Sequence, residues 1–212
     1  NDLRTESDAR TPGGLPLRAG TRLLHYGADR RLAEVRASST GDAGRVVAHY
    51  DYNAFGQRIR KRVFNSRDSS SLAESTQFLW DAYRLAGEVE ESSAGQRLSR
   101  RYIHAQGVPV ALIDYPGGRS LSAPSGWLSG VLQALWQLLT GKTPQVHYIH
   151  ANEIGTPTAV TNADQHVVWR GTHTLYGETA SILTADTTKP FPMTLRLPGQ
   201  YYDAETGWHD NL

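Results

Sequence analysis

Side chains able to bind a metal or move a proton crowd one stretch of this 212-residue chain. Among them are His147, His150, Glu153, His166 and His173, within HYIHANEIGTPTAVTNADQHVVWRGTHTLYGE. A metal-dependent hydrolase would need two of them on one face, as the i, i+4 spacing of His-Glu-x-x-His achieves on a helix. His147 and His150 are three apart, and on a strand that spacing sends them to opposite sides. The alternative is structural: Tyr148, Val168 and Trp169 pack, while the histidines hydrogen-bond or face solvent. Asp203 and Glu205 could form an acid/base pair, but Asp-Ala-Glu-Thr-Gly also reads as a turn. No Gly-x-Ser-x-Gly supports a nucleophile. RIRKRVF, residues 58–64, sets Arg58, Arg60 and Arg62 against Ile59 and Val63. It could meet nucleic acid, or be a strand with one exposed basic face.

The elements that must position these residues are short strands. The stretch from His147 reads strand, Gly155-Thr156-Pro157 turn, strand, polar turn at Asn162 to Asp164, strand. The same plan recurs upstream in RLLHYGADRRLAEVRA, GRVVAHYDYNAFGQRIRKRVF, TQFLWDAYRLAGEVEES and SRRYIHAQGVPVALIDY. It recurs again in MTLRLPGQYYDAETGWHDN, turning at Asp203 to Gly207. Aromatic residues before the turns (Tyr26, Tyr50, Trp80, Tyr102, Tyr148) mark a loose period, the signature of a repeat. A hairpin cannot bury its apolar face alone, but stacked neighbours can. The fold expected is therefore all-β: stacked hairpins forming a curved sheet.

One segment departs from the pattern. Trp127, Leu128, Val131, Leu132, Leu135, Trp136, Leu138 and Leu139 follow helical spacing, with Ser125 as N-cap and Gly141 past the end. An inserted amphipathic helix over 125–140 is expected. At about 1.5 Å per residue it spans about 24 Å, short of a hydrocarbon core of roughly 30 Å. The expected organisation is an irregular leader at 1–20, hairpin repeats at 21–122, the helical insertion at 123–144, and a final segment at 145–212.

Composition narrows the function classes. The formal net charge is +1, which offers no basic footprint for nucleic acid. There is no cysteine, so disulfides and cysteine-based zinc sites are excluded. Gly 20, Pro 10, Tyr 10 and Trp 5 suit many strands and turns. The chain begins at Asn1 and its one methionine is Met193, so an excerpt or a processed product is expected.

Four segments resemble the Rhs/YD-repeat toxin family, specifically the C-terminal part of its repeat shell. YDYNAFGQRIRKRV is similar to the YD repeat, with Tyr52, Gly56, Arg58 and Ile59 in the pattern, Asn53 in the Asp place and Gln57 inserted. FLWDAYRLAGEVE resembles its Trp-Asp variant. Tyr148, His150, Gly155, Thr156, Pro157, Val168, Trp169, Tyr176 and Gly177 fit the Rhs signature segment, while Asn152, Glu153 and Ile154 depart from it. LRLPGQYYDAETGWHDN resembles the segment that follows.

The resemblance implies a hollow β shell that encloses a C-terminal toxin, in bacterial competition or virulence. It implies as partners the remaining shell and the enclosed toxin, with a secretion spike and a chaperone as further candidates. It implies a bacterial cytoplasmic stage, then type VI secretion or another delivery into target cells. The family's self-cleaving aspartyl element lies past Leu212, so no catalysis is expected here, nor any cofactor or metal. Trp127, Val131, Leu135, Trp136 and Leu139 are candidate contacts to cargo or shell. No contact with nucleic acid or membrane is expected. The rival readings are an enzyme, either a metal-dependent hydrolase or a self-cleaving element, and a YD-repeat surface recognition module. The absence of cysteine and of an Asn-x-Ser/Thr sequon weighs against the last.

Overall fold

The computed structural model describes residues 10–38, 44–65, 71–121, 143–174, 179–184 and 191–211, with 179–184 described by backbone alone. The helix expected at 125–140, with Trp127, Val131, Leu135, Trp136 and Leu139, lies outside these residues. So do Tyr176 and Gly177. Among the described residues every regular element is a strand. The chain divides into two compact units, Asn1–Thr76 and Gln77–Leu212.

The first unit contains β1 (Arg18–Ala19), β2 (Arg22–Tyr26), β3 (Leu32–Ala37), β4 (Arg45–Tyr52) and β5 (Arg58–Phe64). β6 (Leu72–Asp81) begins there and runs on into the second unit. The second unit continues with β7 (Arg84–Ser92), β8 (Gly95–Ala105), β9 (Val108–Ser120), β10 (Gln145–Ala151), β11 (Pro157–Thr161), β12 (Val167–His173) and β13 (Thr179–Thr184). In each unit these strands lie side by side in chain order. A separate hairpin, β14 (Gln200–Asp203) with β15 (Trp208–Asn211), completes the second unit.

Among the described residues one turn is built five times. At Thr11, Gly27, Asn53, Asn152 and Asn162 the backbone N–H donates to the carbonyl four residues on, and the carbonyl accepts from the N–H three residues on. The third residue after each takes a left-handed conformation: Gly14, Arg30, Gly56, Gly155 and Gln165, at φ 82, 65, 82, 86 and 65°. This is a type I turn closed by a left-handed residue. At Asn53, Asn152 and Asn162 the side-chain Oδ1 also accepts two backbone N–H bonds across the loop. A short polar side chain therefore does locally what a longer loop would otherwise do. Two-residue turns serve the longer hairpins, with Gln106 and Gly107 both at positive φ between β8 and β9.

Bulges beside the turns decide which face a residue takes. On β5, Arg60 pairs with Asp51 but Arg58 pairs with Tyr52, so Ile59 is the extra residue. The strict alternation expected for 58–64 therefore fails. Arg58 is 1% exposed, with its guanidinium over the Tyr50 ring at 5.1 Å, while Ile59 is 39% exposed. Lys61 is buried beside Glu74, at 3.9 Å. The bulge shifts the phase of the strand, and cation–π stacking lets a basic side chain occupy the inner face.

The second unit has the larger apolar core. Phe78, Leu85, Tyr102, Leu112, Ile149, Val160 and Trp169 come from the sheet. Met193, Leu195 and Tyr201 come from the segment after it, which lays a second layer over the buried face. A one-sided sheet with an open apolar face would be unstable in water; this segment covers it.

Candidate functional site

The histidine-rich stretch does not converge. On β10, His147 and Ile149 point inward, whereas Tyr148 and His150 point outward. His150 Nε2 bonds Thr161 Oγ1 at 3.0 Å on the exposed face. Glu153 and His166 sit at exposed turn positions. His173 is half-buried, with Nε2 bonded to the Pro157 carbonyl at 2.8 Å. Among the described residues no group of three His, Cys, Asp or Glu side chains could hold a metal ion. Tyr148 does not pack as expected: it is 48% exposed, because the strand phase that buries His147 turns it out.

The signature residues instead build the turn and the wall behind it. Thr156, Pro157 and Trp169 are each under 2% exposed. Gly155 holds φ +86°, and a Cβ there would meet Val108 at 3.6 Å and Pro198 at 3.8 Å. The β10–β11 turn therefore touches both β9 and the covering segment. Arg196, on that segment, sets its guanidinium carbon 6.0 Å from the Trp169 ring and 4.6 Å from the Tyr202 ring. It is 3% exposed, and Nη1 donates to the carbonyls of Met193 (2.7 Å) and Leu195 (3.0 Å).

A buried polar cluster lies beside this wall, and sequence reasoning did not find it. The Tyr102 hydroxyl donates to Glu88 Oε1 at 2.5 Å and meets Thr194 Oγ1 at 2.9 Å. Arg100 Nη1 lies 3.7 Å from Glu88 Oε1, and its Nε 3.8 Å from Asp114 Oδ1. Burial, reinforced by the Glu88 carboxylate, pushes the Tyr102 hydroxyl well above its ordinary range. Burial would lower the Arg100 guanidinium, but Tyr102, Glu88 and Asp114 outweigh it and hold it charged. The His147 ring meets the Phe191 ring at a tilt of 56°, with centroids 4.7 Å apart. Burial pulls its imidazole down from 6.5; Asp114 works against this and Arg100 with it. Chemically the cluster sets one guanidinium between two carboxylates, with a phenol capping one of them. It pins the covering segment to the sheet through Thr194. The one signal for it in sequence was inward phase on adjacent strands, visible only once register is known.

The RHS protein family profile matches residues 146–181. The chain is 26% identical over 196 residues to double-stranded DNA deaminase toxin A of Burkholderia cenocepacia, covering 90% of this chain and 12% of that protein. It is 26% identical over 198 residues to toxin protein Tse5 of Pseudomonas aeruginosa, covering 90% of this chain and 14% of the toxin. It thus spans about an eighth of the relatives it matches. Among solved structures it is similar in fold to a chain of the Photorhabdus luminescens Tc holotoxin pore, at TM-score 0.61 and 16% identity over 91% of this chain and 8% of that one. It is likewise similar to TcdB2-TccC3 without its hypervariable C-terminal region, at TM-score 0.59 and 15% identity over 90% of this chain and 8% of that one. The repeated turn, the in-order hairpins and these matches agree: the chain carries an RHS protein match at 146–181 and is similar to Rhs-type toxins.

Proposed function

We propose that this chain is a non-enzymatic wall segment of an Rhs-type shell that encloses a C-terminal toxin and is delivered with it. The observation that carries this reading is the in-order run of hairpins with one buried face and one repeated turn. Such a sheet extends by adding hairpins, and its rows of backbone groups need neighbours. The relatives it matches are named as toxins and are far longer than this segment. In this reading the partners are further shell and the toxin itself, with a secretion spike and chaperone serving delivery out of the bacterial cytoplasm. Trp127, Val131, Leu135, Trp136 and Leu139 remain the expected apolar contacts to cargo or shell.

The enzyme reading is the weaker one, because His147 and His150 lie on opposite faces and the buried charges pair with one another. A protease-protection assay on the longest native polypeptide carrying this segment tests the wall reading. The toxin region should resist protease while the wall is intact, and Trp169→Ala should expose it. Equal sensitivity of toxin in the wild type and the variant, with the variant's wall shown to be unfolded, would refute enclosure by this wall.

A further inference from the structure

The sheet of the second unit has two faces, and the covering segment takes only one. Met193, Leu195 and Tyr201 lie over the face that carries Tyr102, Leu112, Ile149, Val160 and Trp169. The opposite face carries an apolar row of its own. Register places Ile103 opposite Ala111, Ala111 opposite Tyr148, Tyr148 opposite Thr161 and Thr161 opposite Val167, so one line crosses β8 to β12. Ile113 and Val146, also opposite one another, lie beside it. Ile103, Val146, Tyr148 and Val167 are 37, 37, 48 and 40% exposed. Arg101, His150 and Arg170 flank the row, and no carboxylate stands among these paired positions. A continuous apolar strip of this kind, unlike scattered exposed side chains, marks a contact surface.

The chain itself supplies a matching occupant. β9 and β10 are antiparallel neighbours, with Gln145 opposite Asp114. Two residues can join such a pair, yet residues 122–142 intervene. That segment bears no charge before Lys142, and its apolar residues follow the helical stripe of Trp127, Val131, Leu135 and Leu139. It leaves at Leu121 and re-enters directly into the strand that carries Val146 and Tyr148. Val146 is four residues past Lys142, a reach of roughly 13 Å in extended chain. Attached at both ends beside the row, the segment meets it at an effective concentration that a separate chain rarely matches.

We propose that residues 122–142 dock on this second face of their own wall, setting the Trp127–Leu139 stripe against Ile103, Ile113, Val146 and Tyr148. The sheet is then covered on both sides, by 191–203 on one and by the insertion on the other. This goes beyond the shell reading by assigning the stripe to its own wall, and it holds whether or not a toxin is enclosed.

The test is photo-cross-linking in the longest native polypeptide carrying this segment. Tyr148→p-benzoylphenylalanine puts an aromatic probe on the row at a half-exposed position, and Val146→p-benzoylphenylalanine gives a second. Ala204→p-benzoylphenylalanine, at an exposed turn of the covering hairpin, is the control. Trypsin releases 120–142 as one peptide, because no Lys or Arg lies between Arg119 and Lys142. Positions 148 and 146 should capture that peptide at least about tenfold more than position 204 does. Mixing two isotopically distinct preparations should show the link within one chain. Capture of 120–142 from a second copy, capture of toxin or other shell peptides in its place, or equal yield from position 204 would overturn the proposal.

Discussion

The two units use the same hairpin grammar but fill their inner faces differently. In the first, Arg58 lies on Tyr50 and Lys61 is buried near Glu74, so charge shares the interior with Val35 and Ala48. In the second, a later segment covers the sheet with Met193, Leu195 and Tyr201, and the polar groups that remain are netted around Arg100. The lesson is that a repeat specifies turns and strand order, while burial is solved locally. Stacked cations suffice over one stretch, and a covering layer is needed over another.

The largest break in that contrast should come at Trp169. Trp169→Ala removes a side chain 1% exposed at the centre of the covered core, and should cost about 3–5 kcal/mol by urea unfolding. Ile59→Ala, at the bulge of the first unit, should cost under about 1 kcal/mol, because that side chain is 39% exposed. Comparable losses at the two positions would erase the distinction.

Next is the polar net. Tyr102→Phe strands Glu88 and Thr194, and should cost about 1–3 kcal/mol. Hydrogen exchange should then rise first in 191–203, where Thr194 lies. Uniform loss of protection across the second unit would show that the hydroxyl does not pin this segment.

Gly155→Ala should cost about 1–2 kcal/mol, since its φ of +86° suits glycine. Gln165→Gly, at the equivalent position of the next turn with φ 65°, should be neutral or stabilising by a few tenths to about 1 kcal/mol. Opposite signs in thermal melts would sharpen the equivalence of the turns; equal signs would break it.

Titration distinguishes the units most finely. His147 is held below its ordinary 6.5, chiefly by burial. The unfolded chain thus takes up a proton there before the folded one does, so stability is full above about pH 6.5 and falls as pH drops through the lower folded value. His104, also depressed, acts in the same direction. In the first unit Glu34 lies below 4.5: burial would raise it, but Arg36 and His49 overcome this. Its contribution is full above about pH 4.5 and is lost only below it. Hydrogen exchange from pH 7 to 5 should therefore loosen the second unit before the first, and His147→Asn should shrink that difference.

Much of this was legible in the residues. Turn chemistry at Gly155 to Pro157, Asn162 to Asp164 and Asp203 to Gly207 marked the hairpins, and the period of the aromatics marked the repeat. Opposite faces for His147 and His150 followed from strand geometry. Three things were not legible. The bulge at Ile59 reversed the faces of the RIRKRVF strand, because one added residue shifts side-chain phase and no local propensity announces it. The outward turn of Tyr148 followed from register with β9 and β11. The net of Glu88, Tyr102, Arg100 and Thr194 joins residues far apart in sequence, and single-segment patterns cannot see such pairings.

The central claim is that this segment is shell wall and works only with neighbours. Native mass spectrometry of the protein isolated from its own source, with intact masses of each chain after denaturation, tests it most directly. The account predicts one particle in which this segment travels with further shell and a toxin. A stable free monomer, carrying neither, would contradict it.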